Sequence, residues 1–280
     1  MKKEYKDIIS VVKGDIDELE RVIVEDLEFP TSTLNDLLLA PSKRIRPVLA
    51  FLFLRATNHS VTSEQLNLQV AVELVHTASL IHDDIIDYST KRRGLETLNY
   101  KYNDKVAVLS GDYILSIALK KITQLNNPDI LQEFLQVFSQ MSIGEISQYF
   151  SRFNIPTMDE YITKTIQKTA GLFSVSLKSS AIFAKTDINL WNKFAHNFGI
   201  AFQIKNDLTN ILTDNCDIKN GIYTAPVIFS NSTEITSDAI QKTKNLINKH
   251  ILIAQECVEQ LPKSQYSRAI EDILELYKYD

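Results

Sequence analysis

The sequence predicts an all-α protein, folded as a single domain over residues 1–280, and three observations lead to that prediction. The chain has only 7 glycines in 280 residues, so it offers few positions for the tight turns that join strands. Apolar residues recur at three- and four-residue steps through most of the chain, which is typical of helices with one buried face. No window shows the apolar and polar alternation, bounded by turn residues, that predicts a strand.

The helices follow from this spacing in chain order, and turn or capping residues separate them. Thr157 and Asp187 are the clearest predicted N-caps. Residues 214–221 form a predicted internal loop, and Ala225-Pro226 begins a short apolar segment. The other predicted helices span about 3–27, 34–40, 48–56, 70–87, 104–124, 127–153, 157–184, 187–212, 236–260 and 263–278.

Composition excludes several classes of function. The net charge is −5 and no basic stripe dominates, which argues against nucleic acid as a partner. Cys216 and Cys257 form no disulfide or metal framework, so a reducing, cytoplasmic location is predicted. The first residues lack the apolar core of a signal peptide, and no apolar run approaches the ~20 residues of a membrane span.

The stretch Val70–Gly94 carries the strongest chemical signal. Asp83, Asp84 and Asp87 stand near the end of a predicted helix, where they repel one another and oppose the negative end of the helix dipole. A cation that neutralises them would explain this placement, and oxygen ligands at this spacing suit Mg²⁺ shared with a substrate phosphate. Arg92 and Arg93 follow at once, and arginine forks match phosphate oxygens. The stretch therefore predicts a site for Mg²⁺ and a diphosphate.

Five motifs occur in one order along residues 40–230: KRIRP, HDDIID followed by RRG, LSGDYIL, KTAGLF and GIAFQIKND. Together they closely resemble the trans-isoprenyl diphosphate synthases, also called the polyprenyl synthetase family. The resemblance implies an isoprenoid-synthase helical bundle with a central active-site cavity. It also implies a Mg²⁺-dependent prenyltransferase that condenses isopentenyl diphosphate head to tail with an allylic diphosphate, giving a linear trans-prenyl diphosphate.

The resemblance also implies roles for individual residues. Asp83, Asp84 and Asp87 match the first aspartate-rich metal motif, and Asn206 and Asp207 begin the second. The residues that match the allylic diphosphate and catalytic positions are Arg92, Lys168, Thr169 and Gln203. The residues that match the isopentenyl diphosphate pocket and a facing-helix glutamine are Lys43, Arg46, His76, Arg93 and Gln148. From its position alone, His76 is equally well explained as a satisfied core histidine.

The sequence departs from the family pattern around the second metal motif. Asn206 stands where an aspartate is usual, so the site keeps an oxygen ligand and loses a charge. The loop Asp214–Gly221 is short, Asp217 is an acid that could partly replace the missing charge, and Ile222 stands where many members have lysine. Ser42 replaces a common glycine, at modest cost unless that position requires a positive φ.

These departures keep two alternatives open beside the active prenyltransferase. One is a non-catalytic or weakly active partner subunit of a heteromeric synthase, which the altered second motif supports. The other is a terpene cyclase, although a cyclase does not bind the second diphosphate that Lys43 and Arg93 would serve. The expected assembly is a homodimer, with a heteromer as the alternative. The helix at 104–124 is a candidate interface, and core packing explains it equally well.

Small residues before the first aspartate motif predict a long product. Ala78 and Ser79 lie about one turn before Asp83, where shorter-chain enzymes of this family tend to carry an aromatic plug. Val75 is the next candidate floor of the tunnel, and the facing helix around Phe138 and Met141 would close the rest. An apolar tunnel left open there predicts a product of about twenty carbons or longer.

Overall fold

The computed structural model describes residues 4–25, 27 and 42–279. The helix predicted over 34–40 lies outside the described residues, and the single-domain prediction stays a prediction. The first predicted helix, 3–27, is divided over the residues described there. It comprises α1 (Tyr5–Ile9), a 3₁₀ turn (Ser10–Val12) and α2 (Lys13–Glu25).

The remaining described elements are almost all helices. In the first half of the chain these are α3 (Ile45–Ala56), α4 (Ser63–Ile86), α5 (Leu98–Lys101), α6 (Asp104–Gln124) and α7 (Pro128–Phe150). In the second half these are α8 (Met158–Thr165), a π turn (Ile166–Ala170), α9 (Gly171–Ala184), α10 (Ile188–Thr213), α11 (Cys216–Lys219), α12 (Ala225–Ser230), α13 (Ser237–Val258) and α14 (Gln265–Tyr277). The all-α prediction is confirmed.

Capping residues begin several of these helices as the sequence predicts. Thr157 accepts a hydrogen bond from the backbone N–H of Glu160, whose side chain bonds back to Thr157 in a capping box. Asp187 accepts from the N–H of Leu190. Both caps satisfy donors that a helix start leaves without an intrahelical partner, which fixes where α8 and α10 begin.

Two local predictions are wrong. A two-stranded antiparallel hairpin pairs β1 (Lys91–Arg92) with β2 (Leu95–Glu96), so short strands exist where none was predicted. Its two-residue loop, Arg93-Gly94, has positive φ at both positions, 52° and 83°, which is the backbone that matches the twist of a tight hairpin. The predicted loop at 214–221 also contains a helical turn, α11.

One apolar core joins the helices from Ile8 to Tyr277. Within it, α4 packs against α3, α6 and α9, while α10 packs against α9 and α13. Every residue of α3 except Arg55 is buried. The helices α3, α4, α7 and α10 thereby enclose a cavity between them, and the π turn borders it as well.

The π turn lies between two glycines on neighbouring helices. A Cβ at Gly199 of α10 would come within 2.7 Å of Cα of Ala170, and a Cβ at Gly144 of α7 within 2.9 Å of Cγ of Lys168. A π turn adds one residue to a helical turn and is frequent at functional sites. Here the two glycines let the widened turn fit against α7 and α10.

Among the described residues, none of the helices has both the length and the apolar character needed to cross a membrane.

Candidate active site

A cavity of about 750 Å³ lies at the centre of the helices. Most of the residues predicted from the sequence as site residues line it. They are Lys43, Arg46, His76, Ala78, Ser79, Asp83, Arg92, Arg93, Lys168, Thr169, Gln203 and Asn206. The structure therefore brings together side chains that are up to 163 positions apart in the sequence, from Lys43 to Asn206. The predicted residues outside this lining are Val75, Asp84, Asp87, Gln148 and Asp207.

One end of the cavity is acidic. Asp83, in the last turn of α4, has its pKa raised to about 7, first by burial and then by repulsion from Glu145 and Asp87. Lys168 forms an ion pair with Glu145 and partly offsets this repulsion. Arg92 opposes the repulsion as well, yet burial and the two acids still leave the pKa of Asp83 raised, so a further cation would be attracted to this end.

Asp84 and Asp87 each have a basic partner. Asp84 accepts from Nε of Arg92 at 2.7 Å and lies 2.6 Å from its Nη2, so β1 is held against the end of α4. Asp87 accepts from Nη2 of Arg152 at 3.3 Å. Arg152 follows α7 and was not predicted from the sequence, because it is 65 positions away from Asp87 and belongs to none of the five motifs.

The opposite end of the cavity is basic. Lys43, Arg46 and Arg93 line it, and no acid forms an ion pair with any of them among the described residues. Burial lowers the pKa of Arg46 to about 10, which still leaves it charged at neutral pH. Burial also holds the pKa of His76 well below its usual range, and the neighbouring arginines add to that effect. His76 is therefore a neutral hydrogen-bonding group among cations.

Two left-handed residues shape this basic end. Arg44 has φ 45° and is held by a buried ion pair with Glu73 at 3.0 Å. Ser42, beside it, is not among the residues with positive φ, so serine fits at that position as expected. Arg93 has φ 52° in the hairpin loop. At both places the left-handed backbone positions an arginine in the wall of the cavity.

A hydrogen-bonded network connects α8, the π turn and α10, from Thr169 and Gln203 in the cavity wall to Asp207 and Tyr161 behind it. Thr169 donates to Oε1 of Gln203 at 2.8 Å, and Nε2 of Gln203 donates to Oδ1 of Asp207 at 2.7 Å. The hydroxyl of Tyr161 donates to the other oxygen, Oδ2 of Asp207, at 2.6 Å. Tyr161 was not predicted, since nothing in the sequence near it signals a buried polar partner. These hydrogen bonds fix the orientation of the Thr169 and Gln203 side chains.

The second aspartate motif is divided between two environments. Asn206 faces the cavity, while Asp207 is buried and its carboxylate is already paired with Tyr161 and Gln203. Asp217, in α11, has its pKa raised to about 7 by burial and then by repulsion from Asp207 and Asp87. Asp217 therefore brings a carboxylate close to both motifs.

The walls between the two ends are mainly apolar. Ala78 and Ser79 of α4 line the cavity, and so do Phe138 and Met141 of α7. Leu115 of α6 also lines the cavity and was not predicted. Val75 is buried away from the lining, and Gln148 is buried in α7.

The donor chemistry at the acidic end fits Mg²⁺. Asp83, Glu145, Asp87 and Asp217 offer only oxygen ligands, and burial followed by repulsion between carboxylates raises the pKa of Asp83 and of Asp217. Within the described ranges, no three His, Cys, Asp or Glu side chains already stand in an arrangement that would coordinate a metal ion. Charge and ligand type therefore favour the ion, with the acids of α4 as the residues that would hold it.

These features define an all-α protein with a cavity that has repelling carboxylates at one end and, at the other, cations without an ion-pair partner among the described residues. Comparison with known proteins agrees: residues 30–263 match the family model described as Polyprenyl synthetase. The chain belongs to the polyprenyl synthetase family.

Named relatives match along nearly the whole chain. A prenyl transferase of Cyanophora paradoxa is 29% identical, over 94% of this chain and 95% of that protein. Solanesyl-diphosphate synthase 2 of Oryza sativa subsp. japonica is 30% identical, over 95% of this chain and 77% of that protein. Decaprenyl-diphosphate synthase of Dictyostelium discoideum is 29% identical, over 94% of this chain and 70% of that protein.

Solved structures share the fold. Heptaprenyl diphosphate synthase from Staphylococcus aureus superposes with a TM-score of 0.88 at 22% identity, covering 99% of this chain and 98% of that one. Geranylgeranyl pyrophosphate synthetase from Pyrococcus horikoshii superposes with a TM-score of 0.87 at 23% identity, covering 99% of this chain and 100% of that one. The predicted isoprenoid-synthase helical bundle is confirmed.

Proposed function

We propose that this protein is a prenyltransferase that condenses isopentenyl diphosphate with an allylic diphosphate to give a linear trans-prenyl diphosphate. One observation supports this most directly: a single cavity has unpaired cations at one end and carboxylates at the other. Lys43, Arg46 and Arg93 suit a diphosphate bound without metal. Asp83 and its neighbours suit a diphosphate bound through cations. Two diphosphates can thus be held, one at each end of the cavity, with their apolar carbon chains between them.

The residues serve this chemistry in different ways. Diphosphate leaves only when its charge is neutralised, and bound Mg²⁺ would supply most of that neutralisation. Lys168 and Arg92 add fixed positive charge beside it. Thr169 and Gln203, oriented by Asp207, place polar groups beside the reacting carbons, and the apolar wall keeps water from the cationic centre.

Relatives support a long product. Those with the most specific names are described as decaprenyl, solanesyl and heptaprenyl diphosphate synthases. In this chain the small Ala78 and Ser79 leave the tunnel open beside Asp83. We therefore infer a product of about twenty carbons or longer, set by the apolar wall of the pocket.

The two alternatives are less well supported. A cyclase uses one diphosphate, and the unpaired Lys43, Arg46 and Arg93 would have no ligand in it. A non-catalytic partner subunit is not favoured, since the chain keeps both ends of the cavity and its relatives are named as synthases. One relative, from Bacillus subtilis, is named heptaprenyl diphosphate synthase component 2, so a heteromer remains a second assembly to test.

A turnover assay of the purified chain alone tests the proposal. It contains Mg²⁺, isopentenyl diphosphate and allylic primers of increasing length, and mass spectrometry gives the products. We expect a ladder of linear prenyl diphosphates that disappears when EDTA removes the metal. No turnover, with Mg²⁺-dependent diphosphate binding still present, would favour the partner-subunit hypothesis.

We further propose that the protein is a homodimer. The candidate interface predicted at 104–124 corresponds to α6, and α6 and the adjacent α7 expose large apolar side chains such as Leu109 and Phe150. The cytoplasmic location inferred from cysteine usage stays a prediction, and two of the relatives are named as chloroplastic enzymes of Arabidopsis thaliana.

A further inference from the structure

Three buried polar atoms near the basic end of the cavity have no hydrogen-bond partner in the part of the chain that the structure describes. They are Oγ of Ser42, Nε of Arg46 and the hydroxyl oxygen of Tyr277. Arg46 and Tyr277 are each only 5% exposed. An unpaired buried polar group costs folding free energy, and such groups are rare in folded proteins. Arg46 lies on α3, Tyr277 lies on α14, which packs against α3, and Ser42 lies just before α3. Three unpaired groups so placed indicate a ligand that pairs with them.

Tyr277 stands directly behind the cavity wall. It lies in the last turn of α14, which packs against α3. Its ring centroid is 5.5 Å from that of Phe202 and 5.8 Å from Nζ of Lys43, and both of these residues line the cavity. The hydroxyl is therefore close to the cations of the basic end, and it belongs to neither the five sequence motifs nor the lining residues.

The hydroxyl is a hydrogen-bond donor under all ordinary conditions. Burial raises the pKa of Tyr277 to about 12, and the nearby Arg46 only partly opposes this. A donor without an acceptor, placed among cations, suits an anion. An anion offers acceptor oxygens to both the hydroxyl and the guanidinium, and it also balances the charge of the cations around them.

Arg46 is positioned for the same ligand. Its guanidinium carbon lies 4.5 Å from the ring centroid of Phe173, so one face is covered by an aromatic ring. The N–H groups in the guanidinium plane stay available, and Nε has no partner within the described residues. Ser42 adds a third unpaired group four residues before Arg46.

We propose that Tyr277 is a further substrate-binding residue, whose hydroxyl donates a hydrogen bond to the diphosphate of isopentenyl diphosphate at Lys43 and Arg46. The inference rests on the proposed function and specifies its metal-free diphosphate pocket. It makes α14 part of the active site, although all the sequence motifs precede that helix.

The test is the substitution Tyr277→Phe, which removes the hydroxyl and keeps the ring beneath Lys43. Isothermal titration calorimetry measures the binding of isopentenyl diphosphate to the full chain. We expect affinity to fall about tenfold or more, as for the loss of a hydrogen bond to a charged group. The KM for the allylic substrate should stay the same, and the unfolding temperature should stay equal or rise, because an unpaired buried hydroxyl is removed.

Tyr266→Phe is the matched control, since it makes the same change at the other end of α14 and should leave affinity unaltered. A second variant, Tyr277→Leu, removes the ring as well and should weaken binding further. Unchanged affinity in Tyr277→Phe, beside a wild type that binds, would overturn the inference alone. A lower unfolding temperature would also overturn it, because the hydroxyl would then be paired within the fold. A wild type that does not bind isopentenyl diphosphate would overturn the proposed function itself.

Discussion

At the scale of single residues, Asp83 shows how burial and charge act together. Its carboxyl lies at the end of α4, close to Glu145 and Asp87, and its pKa rises to about 7 for these reasons. Between pH 4 and 7 the folded protein keeps a proton that the unfolded chain has lost. Stability therefore falls as the pH rises through this window. The site is costly to form without a bound cation.

We expect Asp83→Asn to stabilise the metal-free protein at pH 8 by about 1–3 kcal/mol, because the neutral amide avoids the cost of ionisation. The gain should shrink toward pH 5, where Asp83 itself is protonated. Thermal unfolding in EDTA at both pH values measures this, and turnover with Mg²⁺ should be lost. The control is Asp238→Asn, an exposed acid on α13. If pH changed the stability of the wild type and of Asp83→Asn equally, this account of the site would be refuted.

The size of the side chain at Ala78 should limit the length of the product. Ala78 is buried yet lines the cavity together with Ser79, Phe138 and Met141. A phenylalanine there would fill the open tunnel, so Ala78→Phe should give shorter products with initiation of the first condensation retained. Mass spectrometry of the products checks the length. Val75→Phe is the comparison, since Val75 does not line the cavity and should alter stability more than product length. An unchanged product distribution in Ala78→Phe would place the tunnel elsewhere.

The residues that the sequence predicted are those whose signal is local. Asp83, Arg92 and Lys168 stand in short motifs, and the structure brings them to one cavity. Arg152 and Tyr277 could not be predicted, because their importance depends on partners far away along the chain. The burial of Asp207 behind Gln203 also has no sequence signal, since adjacent positions on a helix can face a cavity or a neighbouring helix.

At the scale of elements, the π turn positions Lys168 and Thr169. It interrupts an otherwise continuous helix from Met158 to Ala184, which the sequence predicted as one regular helix from its cap at Thr157. Apolar spacing cannot reveal one extra residue in a turn, because the pattern on either side stays helical. The hairpin around Arg93-Gly94 was missed for a similar reason: its strands have two residues each, too short for alternation to show.

We expect Gly144→Ala to impair catalysis, because the added Cβ would lie 2.9 Å from Cγ of Lys168 and 3.2 Å from Cβ of Gln167. Separating α7 from the π turn should lower kcat about tenfold or more and destabilise the fold by about 1–3 kcal/mol. Steady-state kinetics and thermal unfolding measure the two effects.

Gly14→Ala is the matched control, since a Cβ there meets nothing within 4 Å in the described structure. On the exposed side of α2 it should stabilise the protein by about 0.5–1 kcal/mol and leave kcat unaltered. If Gly144→Ala kept full activity, close packing at α7 would not be what positions Lys168.

At the scale of the whole molecule, α6 and α7 leave a large apolar surface outside the core. Leu109 is 68% exposed, Ile146 58% and Phe150 78%. Exposed apolar side chains of this number on two adjacent helices are typical of an interaction surface. The sequence left packing and association as equal explanations of α6. In the structure one face of α6 packs on α4, and Leu109 on α6 is exposed.

If the protein is the homodimer proposed above, Leu109→Glu should convert it to a monomer, because a charge would be buried in the proposed interface on α6 and α7. Light scattering after size-exclusion chromatography measures the mass. Leu252→Glu on α13 is the control, since Leu252 is also an exposed leucine and lies on a different face of the protein. A dimeric Leu109→Glu protein, or a monomeric wild type, would rule out this interface.

The buried hydrogen bond from Tyr161 to Asp207 has a consequence for spectroscopy. Its donor and acceptor are 2.6 Å apart and both residues are buried, so the bridging proton should exchange slowly with solvent and resonate far downfield in a proton NMR spectrum. Through Gln203 and Thr169 that proton is connected to the cavity wall. Its resonance would serve as a native reporter of cavity occupancy, shifting as ligands are titrated in, with no label attached to the protein.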